Sequence, residues 1–103
     1  MPNVWLVQKI SHQNYVDAER FGVLKYIFDR YENVFNPSEI FKEAHDMLKA
    51  HATDEDYLIL NGNAVLSGLT LLAYCTLFSK NINILIFNAK QSKYEVGTLD
   101  LWD

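Results

Sequence analysis

The chain has 103 residues, enough for one hydrophobic core and too few for two independent domains, so a single domain spanning 1–103 is expected. Half of the residues are apolar and 14% are aromatic, which excludes the composition of a disordered chain. Nine Lys and Arg against thirteen Asp and Glu leave a net charge of -4, which excludes the broad positive field of a general nucleic-acid binder, while the scattered carboxylates are too few to imitate DNA.

The first residues, Met1-Pro2-Asn3-Val4-Trp5, have no basic region followed by an apolar core, so no signal peptide is read and a cytoplasmic location is expected. Val4-Trp5-Leu6-Val7, continuing into Gln8-Lys9-Ile10, is apolar on both faces and predicts a strand covered on both sides. Ser11 to Asn14 is a polar turn, and Asp17 to Arg20 is a loop or a single helical turn. Val23 to Phe28 predicts a second strand, placed at an edge by Lys25. Asn36-Pro37-Ser38-Glu39 then supplies an N-cap, a proline at the first helical position and a glutamate that can reach back. Behind it, Ile40, Phe41, Ala44, Met47 and Leu48 line one face of a helix of about 13 residues.

Thr53-Asp54-Glu55-Asp56 reads as a solvated acidic turn, since it lacks the glycine and terminal glutamate of a calcium loop. Tyr57 to Leu60 predicts a central strand, broken by Asn61-Gly62-Asn63. The run from Ala64 to Phe78 has no polar face, which predicts a helix buried nearly all round; at about fifteen residues it falls short of the roughly twenty that span a membrane. Ile82 to Phe87 and the segment from Tyr94 form a closing hairpin, with a bulge expected at Gly97 where the apolar spacing shifts. The order strand, strand, helix, strand, helix, strand, strand predicts an α/β fold: a mixed, mostly parallel five-stranded sheet with two main helices, one on each face, and a C-terminal β-hairpin.

Asn61, Gly62 and Asn63 are the first candidates for a ligand site. Ligands of open α/β sheets bind beyond the carboxyl ends of the strands, where a helix N-terminus presents amide hydrogens. A tight turn with Gly62 at positive φ and Asn63 as the cap explains the same residues without any ligand. His12, just past the first strand, is the one histidine placed to approach that turn, and a surface imidazole in a polar loop is its bland alternative. Ser11 and Ser67 lack the setting of a nucleophile, and no carboxylate is spaced to orient His12. His45 and His51 do not share a helical face, so no metal and no other cofactor is expected. Cys75, the lone cysteine, cannot form an internal disulfide and reads as a small core hydrophobe in a reducing compartment. Tyr57 and Tyr74 read as core residues with their hydroxyls at its margin. The fully apolar second helix is the feature that asks for a partner: either loops and strands wrap over it or a second copy does, a dimer being the simplest homo-oligomer.

Val4-Trp5-Leu6-Val7-Gln8, Phe21-Gly22-Val23-Leu24, Asp56 to Asn63 and Tyr94 to Leu101 together resemble small phage-encoded single-domain proteins of uncharacterised function. Those proteins carry a Tyr-Leu-Leu-x-Gly-x-Pro-like segment, and here Asn63 stands where the proline would be. The resemblance implies a phage accessory or virion-associated protein in a bacterial cytoplasm, acting on a host or virion protein, and it brings no catalytic residues. A small nucleotide- or phosphate-binding protein using the Asn61–Asn63 turn is the alternative from a different class.

Overall fold

In the computed structural model, which describes residues 1–10, 14–30, 33–79 and 81–101, strand β1 (Asn3–Gln8) buries Val4, Trp5, Leu6 and Val7 in succession. Two-sided burial follows from its place inside the sheet, whose order is β2-β1-β3-β4-β5. Strands β2 (Val23–Phe28) and β3 (Tyr57–Ile59) flank β1, both parallel to it. Strand β4 (Asn81–Asn88) continues the parallel set beside β3, and β5 (Lys93–Asp100) returns antiparallel to β4. The fold is the mixed, mostly parallel α/β sheet with a closing hairpin that the sequence predicts, with β2 at the edge and β3 at the centre.

Helix α1 (Pro37–His51) begins at Asn36, whose Oδ1 accepts the Glu39 N–H at 3.2 Å while its Nδ2 donates to Glu39 Oε2 at 3.2 Å. Its face of Ile40, Ala44 and Leu48 is fully buried, and each large apolar side chain so placed stabilises the fold by about 1.5–3 kcal/mol. Met47 lies off that fully buried face and is 37% exposed. Helix α2 (Ala64–Leu77) begins at Asn63, and both helices pack in one cluster with Trp5, Val7, Leu58 and Ile82. The expectation of one helix on each face is therefore wrong. The opposite face, formed by Val4, Leu6, Ile59, Leu85 and Tyr94, is covered by the 3₁₀ helix Val16–Arg20 through Tyr15 and Ala18. The reason is the direction of travel: with right-handed crossovers, the steps β2 to β3 and β3 to β4 place their helices on the same face, and the reverse step β1 to β2 crosses the other.

Two further expectations need correction. Helix α2 is not buried all round: Leu66, Thr70, Ala73 and Tyr74 face inward, while Leu72 is 54% and Val65 41% exposed, so none of the described residues wraps over its outer side. The hairpin has no bulge at Gly97, since the register runs unbroken from Asn81↔Asp100 to Asn88↔Lys93 with Ile84 opposite Gly97. The shift in apolar spacing arises because β5 changes the face it buries. Tyr94 joins the 3₁₀-side core, whereas Leu99 and Leu101 pack on the helix side. Gly97 makes room for Ile86, whose Cδ1 would stand 2.9 Å from an added Cβ.

Asp56, at the entry to β3, is no solvated turn residue: it is 1% exposed. Its Oδ1 accepts the Asn3 N–H at 2.9 Å and the Thr53 hydroxyl at 3.0 Å. Its Oδ2 accepts Trp5 Nε1–H at 2.9 Å, the Thr53 N–H at 3.0 Å and Asn3 Nδ2 at 3.1 Å. One carboxylate thus pins the start of β1 to the start of β3. Burial pushes its pKa up, but the donors, led by Asn3 and Trp5, outweigh burial and hold it below the usual value. Asp56→Asn is expected to cost about 3 kcal/mol in urea unfolding at neutral pH, because a new N–H₂ meets these donors. A depressed folded pKa makes the carboxylate's contribution complete above the unfolded value of about 3.9 and lost as pH falls through the folded one. The gap between wild type and variant should therefore close on acidification.

Candidate functional site

The Asn61-Gly62-Asn63 turn leaves β3 and opens α2. Gly62 has φ of 80°, and a Cβ there would lie 2.3 Å from Gln8 Oε1 and 2.9 Å from Gln8 Cβ, so both the conformation and the close approach require glycine. Gln8 Oε1 accepts the Asn63 N–H at 3.1 Å. Asn63 Oδ1 caps the helix by accepting the N–H groups of Val65 at 2.8 Å and Leu66 at 3.3 Å. Ser67 Oγ donates back to the Asn61 carbonyl at 3.0 Å, which gives that hydroxyl a structural role.

Asn61 extends the sheet beyond its last paired residue. Its Oδ1 accepts the Gln8 N–H at 3.0 Å and its Nδ2 donates to the Gln8 carbonyl at 2.7 Å, as a neighbouring strand would. The same Nδ2 donates to the Tyr15 hydroxyl at 2.8 Å. Burial raises the Tyr15 phenol, partly offset by that hydrogen bond. Gln8 and Asn61 stand where β1 and β3 send their connections to opposite faces, the crevice in which ligands of open α/β sheets bind. Here the carboxamide of Asn61 bridges it, and the Asn63, Val65 and Leu66 amides are taken by the chain's own side chains.

A cleft of about 510 Å³ opens one strand further along. The β3–β4 pairing covers Tyr57↔Asn83 and Leu58↔Ile84, while β4 runs on to Asn88. Leu60 and Gly62 form one wall, Leu85 and Phe87 the other, and Tyr15 and Tyr94 close the 3₁₀ side. Phe87 and Tyr94 meet edge to face with ring centroids 5.1 Å apart. The backbone of Tyr94 is held by the 3₁₀ helix: its N–H donates to Asp17 Oδ2 at 2.6 Å and its carbonyl accepts from Arg20 Nη2. That N–H is the main cause lowering the Asp17 pKa. Burial raises the Tyr94 phenol, with Tyr15 and Asp17 adding to the effect.

His12 and Ser11 lie outside the described residues, so the turn can be paired with neither. Among the described residues no group of three His, Cys, Asp or Glu side chains could hold a metal ion, and no helix is long and apolar enough to cross a membrane. Cys75 is half-buried and burial pushes its thiol pKa up. Tyr57 packs against Phe21 with centroids 5.3 Å apart. The residues that sequence reasoning missed are Gln8 and Tyr15, which complete the turn. Gln8 ends an apolar strand with a carboxamide, the one local hint of a polar role.

The family model described as Phage Pam3 gp32-like protein matches residues 2–101. The chain belongs to that phage family. No curated protein and no solved structure matches it. The match covers every strand and both helices of this phage protein, the Asn61–Asn63 turn and Gln8 included. Gly62→Ala is expected to lower its stability by about 2–3 kcal/mol, from left-handed backbone strain and displacement of Gln8. An unchanged midpoint in urea unfolding would show that the turn tolerates a side chain.

Proposed function

We propose that this phage protein acts by binding protein, as a homo-oligomer, in the bacterial cytoplasm or in the virion, and that α2 supplies the contact. One observation carries the reading. Helix α2 has no charged residue from Ala64 to Leu77, yet Val65 and Leu72 on its outer side are open. A surface helix of a monomer normally carries charge on its outer side, as α1 does with Lys42, Glu43, Asp46 and Lys49. Sedimentation velocity on the purified chain should give a dimer in the micromolar range. A monomer throughout that range, with no partner retained from host lysate, would sink the reading.

The second reading is a small nucleotide- or phosphate-binding protein that uses Asn61, Gly62 and Asn63, with His12 assisting. The cleft beside that turn favours it, at the carboxyl end of the sheet. A thermal-shift panel of nucleotides, cyclic nucleotides and inorganic phosphate tests it, since a ligand selective for the folded state raises apparent stability. A concentration-dependent rise that Asn63→Ala abolishes supports this reading, and a flat panel removes it.

A further inference from the structure

Three of the four glycines have a reason in this fold. An added Cβ would stand 2.2 Å from the Pro2 carbonyl oxygen at Gly22, 2.3 Å from Gln8 Oε1 at Gly62 and 2.9 Å from Ile86 Cδ1 at Gly97. Gly68 has none: nothing lies within 4 Å of its Cβ position, and its φ is not positive. It sits in the middle of α2, where glycine is less stable than alanine because it loses more backbone freedom on folding. At helical spacing, Val65, Gly68, Leu72 and Thr76 share one side of the helix, the open one. The chain thus carries a destabilising residue where it leaves a notch in the outer surface of α2, with a projecting leucine one turn away.

Resting on the homo-oligomer reading above, we infer that α2 packs against α2 of a second copy of this chain, with Leu72 of each copy seated over Gly68 of the other. The face itself favours a second copy: α2 has no charged side chain, so two copies of net charge -4 meet there without desolvating or opposing any charged group. Two-fold symmetry makes knob and notch reciprocal, so one pairing satisfies both copies. The outer side of β5 is a poorer site: it carries Lys93, Glu95 and Asp100, and the backbone of Tyr94 is already bonded to Asp17 and Arg20.

Two substitutions test this contact by sedimentation velocity and thermal unfolding. Leu72→Glu, at a position 54% exposed, should leave the fold intact by circular dichroism and give a monomer. Gly68→Ala should weaken the dimer at least tenfold; in the Leu72→Glu background, where only the monomer is read, it should raise the midpoint by about 4–8 °C. A more stable monomer with a weaker dimer is the signature of a notch kept for a partner. If the wild-type chain is a monomer, the homo-oligomer reading fails and this contact with it. If it is a dimer that both substitutions leave unchanged, homo-oligomerisation stands and the α2 contact is overturned. A dimer that Gly68→Ala tightens also overturns it, as does a host or virion protein that displaces the second copy and binds the Gly68→Ala chain equally well.

Discussion

The handedness of strand-to-strand crossovers governs the layout of this molecule. The chain steps from β1 outward to β2, then reverses and steps through β3 to β4. Right-handed connections send the outward step over one face of the sheet and both return steps over the other. One face therefore receives two helices of 15 and 14 residues, and the other a 3₁₀ helix of 5. The same reversal parts the connections of β1 and β3 at Gln8 and Asn61. A ligand crevice is expected at such a point, but the Asn61 carboxamide occupies it with strand-like hydrogen bonds to the Gln8 backbone.

The two faces are held by different physics. On the helix side, Trp5, Ile40, Leu48, Leu58, Leu66 and Ile82 form a core of large buried side chains, each stabilising by a few kcal/mol. On the 3₁₀ side, among the described residues, the covering segment buries Tyr15 and Ala18 and packs the partly buried Phe21 against this core. Polar latches complete its attachment: Tyr15 to Asn61, and Asp17 and Arg20 to the backbone of Tyr94, with the Arg20 guanidinium 4.1 Å from the Phe21 ring centroid. The neutral latch from Asn61 to the Tyr15 hydroxyl contributes about 1 kcal/mol net. The 3₁₀ side is the thinner cover, with fewer large buried side chains than the helix side, the condition under which local opening is cheaper.

Much of this was legible in the sequence where the signals are local. The start of α1 is set by Asn36, Pro37 and Glu39 within four positions, and β1 and β3 announce their two-sided burial as unbroken apolar runs. What escaped depends on partners distant in the chain. Asp56 reads as one more acid in a polar turn, because the Asn3 and Trp5 donors that define it lie 53 and 51 positions away. Gln8 and Asn61 are 53 apart and meet only once β1 and β3 are neighbours. The face of each helix needs the strand order, which periodicity does not contain. A charge-free helix reads the same whether its own chain or a second copy covers it.

The rotation of α2 about its axis bears on that last ambiguity. Its inner side presents Thr70 Oγ1 and the Tyr74 hydroxyl to the core with no hydrogen-bond partner among the described residues, while Leu72 points out. Burial, with Asp56 and Asp54 adding to it, pushes the Tyr74 phenol far above its ordinary range. An unsatisfied buried hydroxyl costs about 1–3 kcal/mol, a cost set against the burial of Leu66, Ala73 and Tyr74 on the same side. The turn before the helix holds that side inward as well. Asn63 caps Val65 and Leu66, Ser67 bonds the Asn61 carbonyl, and Gln8 holds the Asn63 amide, so the first turn of α2 is fixed in azimuth before the helix meets the sheet. The hydrogen bonds that close the crevice at the end of β3 thereby also set which side of α2 stays open, and the turn and the outer surface of the helix belong to one design.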